Sequence, residues 1–117
     1  AQGDCLDALS AAWRDRAQVV VCNPPYVRAH ELPDLAPEIR DHEPRVALLG
    51  EGPEATGMYA RVLEGCAGLP ALRALAFEVG MGQAEAVAGM LRTHLPGCAV
   101  MVREDLGGIE RVVAATR

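Results

Sequence analysis

The sequence predicts an α/β fold, a parallel sheet with right-handed crossovers whose last strand runs antiparallel. Three observations lead there. Four short apolar runs recur along the chain, at 19–22, 75–79, 99–103 and 111–116. Before and after the second run lie stretches with apolar residues at i, i+3, i+4 and i+7, the period of an amphipathic helix. Only residues 105–110 separate the last two runs. That is too short for a helical crossover, so the final strand must turn back on its neighbour.

Taken in chain order, Leu6, Leu9 and Trp13 suggest a short helix behind Asp4. Val19-Val20-Val21-Cys22, bounded by Arg16 and Asn23-Pro24-Pro25, reads as a strand buried on both faces of the sheet. Residues 31–42 carry Leu32, Leu35, Ala36 and Ile39 at helical spacing. Pro33 and Pro37 interrupt them, which predicts helical turns inside a long loop. Tyr59, Val62, Leu63 and Cys66 mark a helix with Thr56 as its N-cap. Leu75-Ala76-Phe77-Glu78-Val79 is the second strand, stopped by Gly80. Ala84, Val87, Ala88 and Leu91 define the next helix, and Pro96-Gly97 punctuates its end. Ala99 to Arg103 and Arg111 to Thr116 complete the sheet.

A chain of 117 residues is one domain's worth. Half of it is hydrophobic, mostly Ala, Val and Leu, with 3% aromatics; an all-β protein would be richer in aromatic and β-branched residues. The net charge is −5, and the 11 basic residues, all Arg, form no run. Holding nucleic acid through its phosphates calls for a basic face, so a protein or small-molecule partner is expected instead. Cys5, Cys22, Cys66 and Cys98 form no C-x-x-C pair and fall into no ligand spacing with His30, His42 or His94. Buried free thiols in a reducing compartment, and no metal, are the expectation. Nothing approaches the ~18 apolar residues of a membrane span, and no charged-then-apolar leader opens the chain. A soluble, cytoplasmic protein is expected. The opening at Ala1, followed by Gly3-Asp4, reads as the interior of a longer protein.

The strongest local signal is Asn23-Pro24-Pro25-Tyr26, directly after a strand. In an open α/β sheet, ligands bind in the crevice outside the carboxyl ends of the strands. Two prolines fix φ and remove two N–H donors, leaving a surface rich in carbonyl acceptors. The Asn side-chain oxygen adds another acceptor and the Tyr ring a flat wall. That combination suits a planar –NH2 group; the plainer alternative is a turn that ends the strand. A second pattern, Gly80-Met81-Gly82 opening a helix, invites a dinucleotide-binding reading. Glu85 stands where its third glycine should be, so the fingerprint fails.

The four-residue string resembles the Asn/Asp-Pro-Pro-Tyr/Phe motif of class I methyltransferases that act on planar amino groups. Residues 38–48, Phe77-Glu78-Val79-Gly80-Met81-Gly82-Gln83 and the stretch from Arg103 to Val113 are similar to segments of the release-factor glutamine methyltransferases (the PrmC/HemK family). The match is collinear over essentially the whole chain. The segment from Gly50 to Met58 is only a loose version of the family's Gly-rich stretch with Asp-Gly-Leu.

The resemblance implies the second half of a Rossmann-like, S-adenosylmethionine-dependent sheet. Residues 1–117 would be the carboxy-terminal portion of one methyltransferase catalytic domain, without the upstream cofactor loop and amino-terminal helical domain. It implies N(5)-methylation of the glutamine amide in the Gly-Gly-Gln motif of class I peptide chain release factors, by the full enzyme; this portion alone is expected to be inactive. Asn23 and Pro24 are the implied catalytic residues, and Asn23, Pro24, Pro25 and Tyr26 the substrate pocket. Asp4, Cys5 and Asn23 are the implied cofactor contacts, Asp4 doubling as a helix N-cap.

Glu78, inside an apolar strand, reads as a hydrogen-bonded structural acid or as a general base. His42 and Glu43 read as loop scaffolding or substrate contacts, and Arg103 and Arg111 as solvated or paired. Two alternatives stay open: a nucleic-acid amino methyltransferase acting on a flipped adenine or guanine, and a non-catalytic truncated fragment. The first strand is expected at a sheet edge, where it invites self-association.

Overall fold

A computed structural model describes residues 3–117. Its centre is one four-stranded mixed sheet, in the order β1-β2-β4-β3. The strands are β1 (Val19–Cys22), β2 (Ala74–Glu78), β3 (Ala99–Glu104) and β4 (Glu110–Thr116). β1 lies parallel to β2, with Val19 opposite Ala74 and Cys22 opposite Phe77. β4 runs antiparallel to both β2 and β3.

The last turn makes β3 and β4 a hairpin. The Asp105 carboxylate accepts the Gly107 N–H at 2.8 Å and the Ile109 N–H at 3.1 Å. Gly108 takes φ +77, which an L side chain would resist. The chain therefore doubles back, and β4 lies between β2 and β3 with a partner on each side.

Two helices cover one face of the sheet. α4 (Gly57–Cys66) and α5 (Ala84–His94) bury the residues that their periodicity singled out, Tyr59, Val62, Leu63 and Cys66 on the first and Ala84, Val87, Ala88 and Leu91 on the second. They close over Leu75, Phe77 and Val113. The Tyr59 and Phe77 rings meet edge to face, with centroids 5.2 Å apart and planes at 88°, an arrangement that adds to plain area burial.

The opposite face corrects one expectation. β1 is not buried on both sides: Val19 is 62% exposed and Val21 78%, while Val20 and Cys22 pack toward the helices. The partners of Val19 and Val21 are Ala74 and Ala76, so these side chains share the face that α4 and α5 leave open. β1 does stand at a sheet edge, as expected.

The expected amino-terminal helix splits into a 3-10 turn, Cys5–Ala8, and the single turn α1 (Ala11–Arg14). Leu9 and Ser10 between them are extended, and Trp13 is 66% exposed. Leu6 packs against the core but Trp13 does not, and so short a segment cannot then offset the nucleation cost of one continuous helix. Thr56 occupies the N-cap of α4 but makes no side-chain cap bond; its backbone is in the αR region, not the extended one that aims a capping hydroxyl at the helix.

Between β1 and α4 the chain makes a long excursion. As the prolines implied, it holds only short turns: a 3-10 helix at Ala29–Asp34, α2 (Pro37–Arg40) and α3 (Arg45–Leu48). A single bridge pins its return, where the Val27 N–H donates to the Leu48 carbonyl at 2.9 Å and the Gly50 N–H to the Val27 carbonyl at 3.1 Å. No helix among the described residues is long and apolar enough to cross a membrane.

Candidate functional site

At the carboxyl end of β1 the sheet opens into a cavity of about 390 Å³. Asn23, Pro24, Pro25 and Tyr26 form its floor, the excursion contributes Leu35, Ile39 and Leu48, and Arg111 enters from β4. The four residues of the motif thus meet in one concave space with an apolar wall. Asn23 is exposed at the strand tip, Pro24 is buried beneath it, and Pro25 and Tyr26 are half-buried.

Tyr26 is fixed from three directions. Its hydroxyl donates to the Glu78 carboxylate at 3.4 Å. Its backbone carbonyl accepts the side-chain amide of Gln83 at 3.2 Å. Its ring lies against Gly80 so closely that a Cβ there would come within 2.9 Å of the ring's Cδ2. Burial pushes the Tyr26 phenol above its usual value, the Glu78 carboxylate pushes it further, and Arg111 opposes both. The ring therefore stays protonated at neutral pH and acts as a wall and donor, not a base.

Glu78 ends β2 half-buried, with its carboxylate on Tyr26 and its carbonyl accepting the Tyr59 hydroxyl at 3.1 Å. The structural reading of this acid has a visible partner. Arg111, read as solvated or paired, is paired: its Nε lies 3.3 Å from the Asp105 carboxylate. Its Nη1 donates to the Val79 carbonyl at 3.4 Å, and the same side chain lines the cavity. The antiparallel return was expected of β4, but its insertion beside β2, which brings Arg111 to the strand tip, is decided by the sheet order. His42 and Glu43 are exposed on the excursion and line no part of this cavity.

Gln83 was missed altogether. It is 2% exposed and its side chain makes four hydrogen bonds. Oε1 accepts the Gly80 N–H at 3.0 Å and the Tyr59 hydroxyl at 3.3 Å. Nε2 donates to the carbonyls of Tyr26 at 3.2 Å and Glu54 at 3.0 Å. The only signal in the sequence was an uncharged amide just before a core-facing helix, which reads as an ordinary helix start.

Asp4 and Cys5 lie elsewhere, lining a separate cavity of about 290 Å³ with Leu6, Arg14, Arg61 and Glu64. The Asp4 carboxylate pairs with Arg61, which also holds Glu51 at 2.7 Å. Asp4 stands at the N-cap position of the 3-10 turn but makes no side-chain cap bond. Cys5 adopts φ 45 and rests its thiol 3.5 Å from the Met58 sulfur; burial raises that thiol's pKa, and Asp4 adds to the effect. All four cysteines are free. Only Cys66 is buried, with its thiol pushed up to about 11, while the other three are half-buried. Among the described residues no three His, Cys, Asp or Glu side chains gather as a metal site.

For a methyl donor the fit is partial. Asn23 offers an exposed amide beside the acceptor cavity. Asp4 offers a carboxylate already engaged by Arg61, which keeps acceptor capacity for a second partner.

No family model matches the chain. Curated relatives do. The chain is 38% identical over 101 residues to the release factor glutamine methyltransferase of Bacillus anthracis, covering 86% of this chain and 35% of that protein. It is 37% identical to the Bacillus cereus protein of the same name, covering 97% and 40%. With that of Cereibacter sphaeroides it shares 41%, over 90% and 37%. The chain thus spans well under half the length of these relatives. Among solved structures it superposes on the release factor-specific protein-(glutamine-N5) methyltransferase of Alicyclobacillus acidocaldarius with a TM-score of 0.50 and 28% identity, covering 91% of this chain and 53% of that one.

Proposed function

The chain belongs to the release factor glutamine methyltransferase family, and from that premise we propose that it carries the amide-acceptor half of a cytoplasmic methyltransferase. In this reading residues 1–117 are the carboxy-terminal portion of one catalytic domain. The complete enzyme uses S-adenosylmethionine to methylate N5 of the glutamine in the Gly-Gly-Gln motif of class I peptide chain release factors. The observation that supports it most is the cavity at the tip of β1, where an exposed amide, two consecutive prolines and a fixed tyrosine ring come together.

An amide nitrogen is a poor nucleophile because its lone pair is delocalised into the carbonyl. The site must therefore orient the nitrogen and favour its pyramidal form. The Asn23 side-chain oxygen and the Pro24 carbonyl accept the two amide protons, and Tyr26 lies on the amide plane. S-adenosylmethionine, when bound, supplies a methyl group activated by its sulfonium; Asn23, Asp4 and Cys5 are the residues of this chain that would hold it. Holding two reactants in line offsets roughly 7–11 kcal/mol of barrier in well-oriented cases. The amide proton departs after transfer, so no dedicated base is needed. The protonated Tyr26 and its partner Glu78 serve geometry.

The test is Asn23→Ala in the complete enzyme, assayed on a release-factor peptide. Methyl transfer is expected to fall about 10²–10³-fold, the usual loss when one preorganised hydrogen-bonding group is removed, while calorimetry still registers cofactor binding. Because Asn23 is exposed, Tm should hardly move. Near-normal turnover would sink the assignment.

A further inference from the structure

We infer that Gln83 is a positioning residue for the acceptor cavity, acting through Tyr26 and the excursion. The inference rests on the amide-acceptor reading and adds a residue to it. Three segments remote in sequence converge on this one buried amide: the loop after β1 at Tyr26, the approach to α4 at Glu54, and the turn after β2 at Gly80. The Tyr59 hydroxyl of α4 completes the set. Each donor and acceptor of the side chain is used. No buried side-chain nitrogen or oxygen among the described residues lacks a partner.

The placement of Tyr26 needs such a device. Between Pro25 and Glu54 no residue is fully buried and only the Tyr26 ring packs against the core, so apolar packing alone does not fix this segment. Nε2 of Gln83 ties both ends of the stretch, at Tyr26 and at Glu54, to the rigid start of α5. Oε1 holds the Gly80 turn, against which the Tyr26 ring sits. A buried amide whose four bonds are all made specifies one geometry, because any shift leaves a polar group unpaired in a low dielectric.

The experiment uses the complete enzyme and two variants, with a Gly-Gly-Gln peptide as acceptor. Gln83→Leu keeps the bulk and removes every polar contact. Its KM for the peptide is expected to rise at least about tenfold, with cofactor affinity unchanged by calorimetry. Gln83→Glu keeps the shape and covers the case in which the leucine variant fails to fold. Ionised, the introduced carboxyl repels the Tyr26 and Glu54 carbonyls; protonated, it donates to one of them. Its peptide KM should therefore drop back toward wild type as pH falls, a trend that the wild type lacks. A folded Gln83→Leu with wild-type peptide KM overturns the inference. So does a loss of cofactor affinity in step with peptide affinity, or a flat, wild-type KM profile for Gln83→Glu. Failure of the underlying reading shows separately, as retained turnover in Asn23→Ala.

Discussion

From Pro25 to Glu54 not one residue is buried, whereas α4, β2 and α5 place Tyr59, Leu63, Phe77, Val87 and Leu91 wholly out of solvent. The two regions meet at Gly80 and Gln83, yet they are held by different forces. Non-directional apolar burial organises the helix-covered side of the sheet. The excursion is placed by a few directional bonds, at Val27, at Arg28 with Glu31, and at Gln83. Such a segment can open locally at little free-energy cost while the core stays closed. The motif thus sits where the sheet hands over to a segment able to adjust.

The largest expected effect breaks the core side of this comparison. Phe77→Ala removes a ring that is fully buried against Tyr59 and should cost about 3–5 kcal/mol of stability, read from urea unfolding. A loss under about 1 kcal/mol would mean that the core is not the main support of the fold.

Gly80→Ala acts at the seam. A Cβ there would lie 2.9 Å from Tyr26 Cδ2 and 2.8 Å from Gln83 Oε1. The crowding should cost roughly 1–3 kcal/mol. Hydrogen exchange should show it as faster opening of residues 26–56 with unchanged protection in α5 and β4. Equal loosening of both regions would show that they are one cooperative unit.

The smallest effect lies at the far turn. Bonds from the Ile109 and Gly107 amides and from Arg111 hold the Asp105 carboxyl below its ordinary 3.8. A depressed folded value stabilises above the unfolded pKa, and that contribution fades as pH falls through the folded one. Wild type should therefore melt slightly above Asp105→Asn at neutral pH. The gap should begin to close below 3.8 and vanish once the folded carboxyl is itself protonated. An exposed group of this kind contributes little after solvent screening; a Tm gap independent of pH would assign the effect to turn geometry, not charge.

Periodicity alone determined the two long helices and their buried faces, because a stripe at i, i+3, i+4 and i+7 has one way to leave water. The five residues between β3 and β4 determined the antiparallel return, because chain length forbids anything else there. The Asn23-Pro24-Pro25-Tyr26 string marked the strand tip, and flanking segments named the family that the relatives bear out. Tertiary structure decided the rest. An apolar run of four residues does not say how many of its sides are covered, so the open face of Val19 and Val21 was invisible. Whether Leu6 to Trp13 form one helix depended on a core surface that Trp13 does not find. That Asp4 and Cys5 line a cavity apart from Asn23 follows from how the 3-10 turn docks on α4, a contact between residues far apart in the chain. Gln83 was hidden for the same reason. A hydrogen-bond hub is defined by the partners that folding brings to it, and no local pattern of residue types records them.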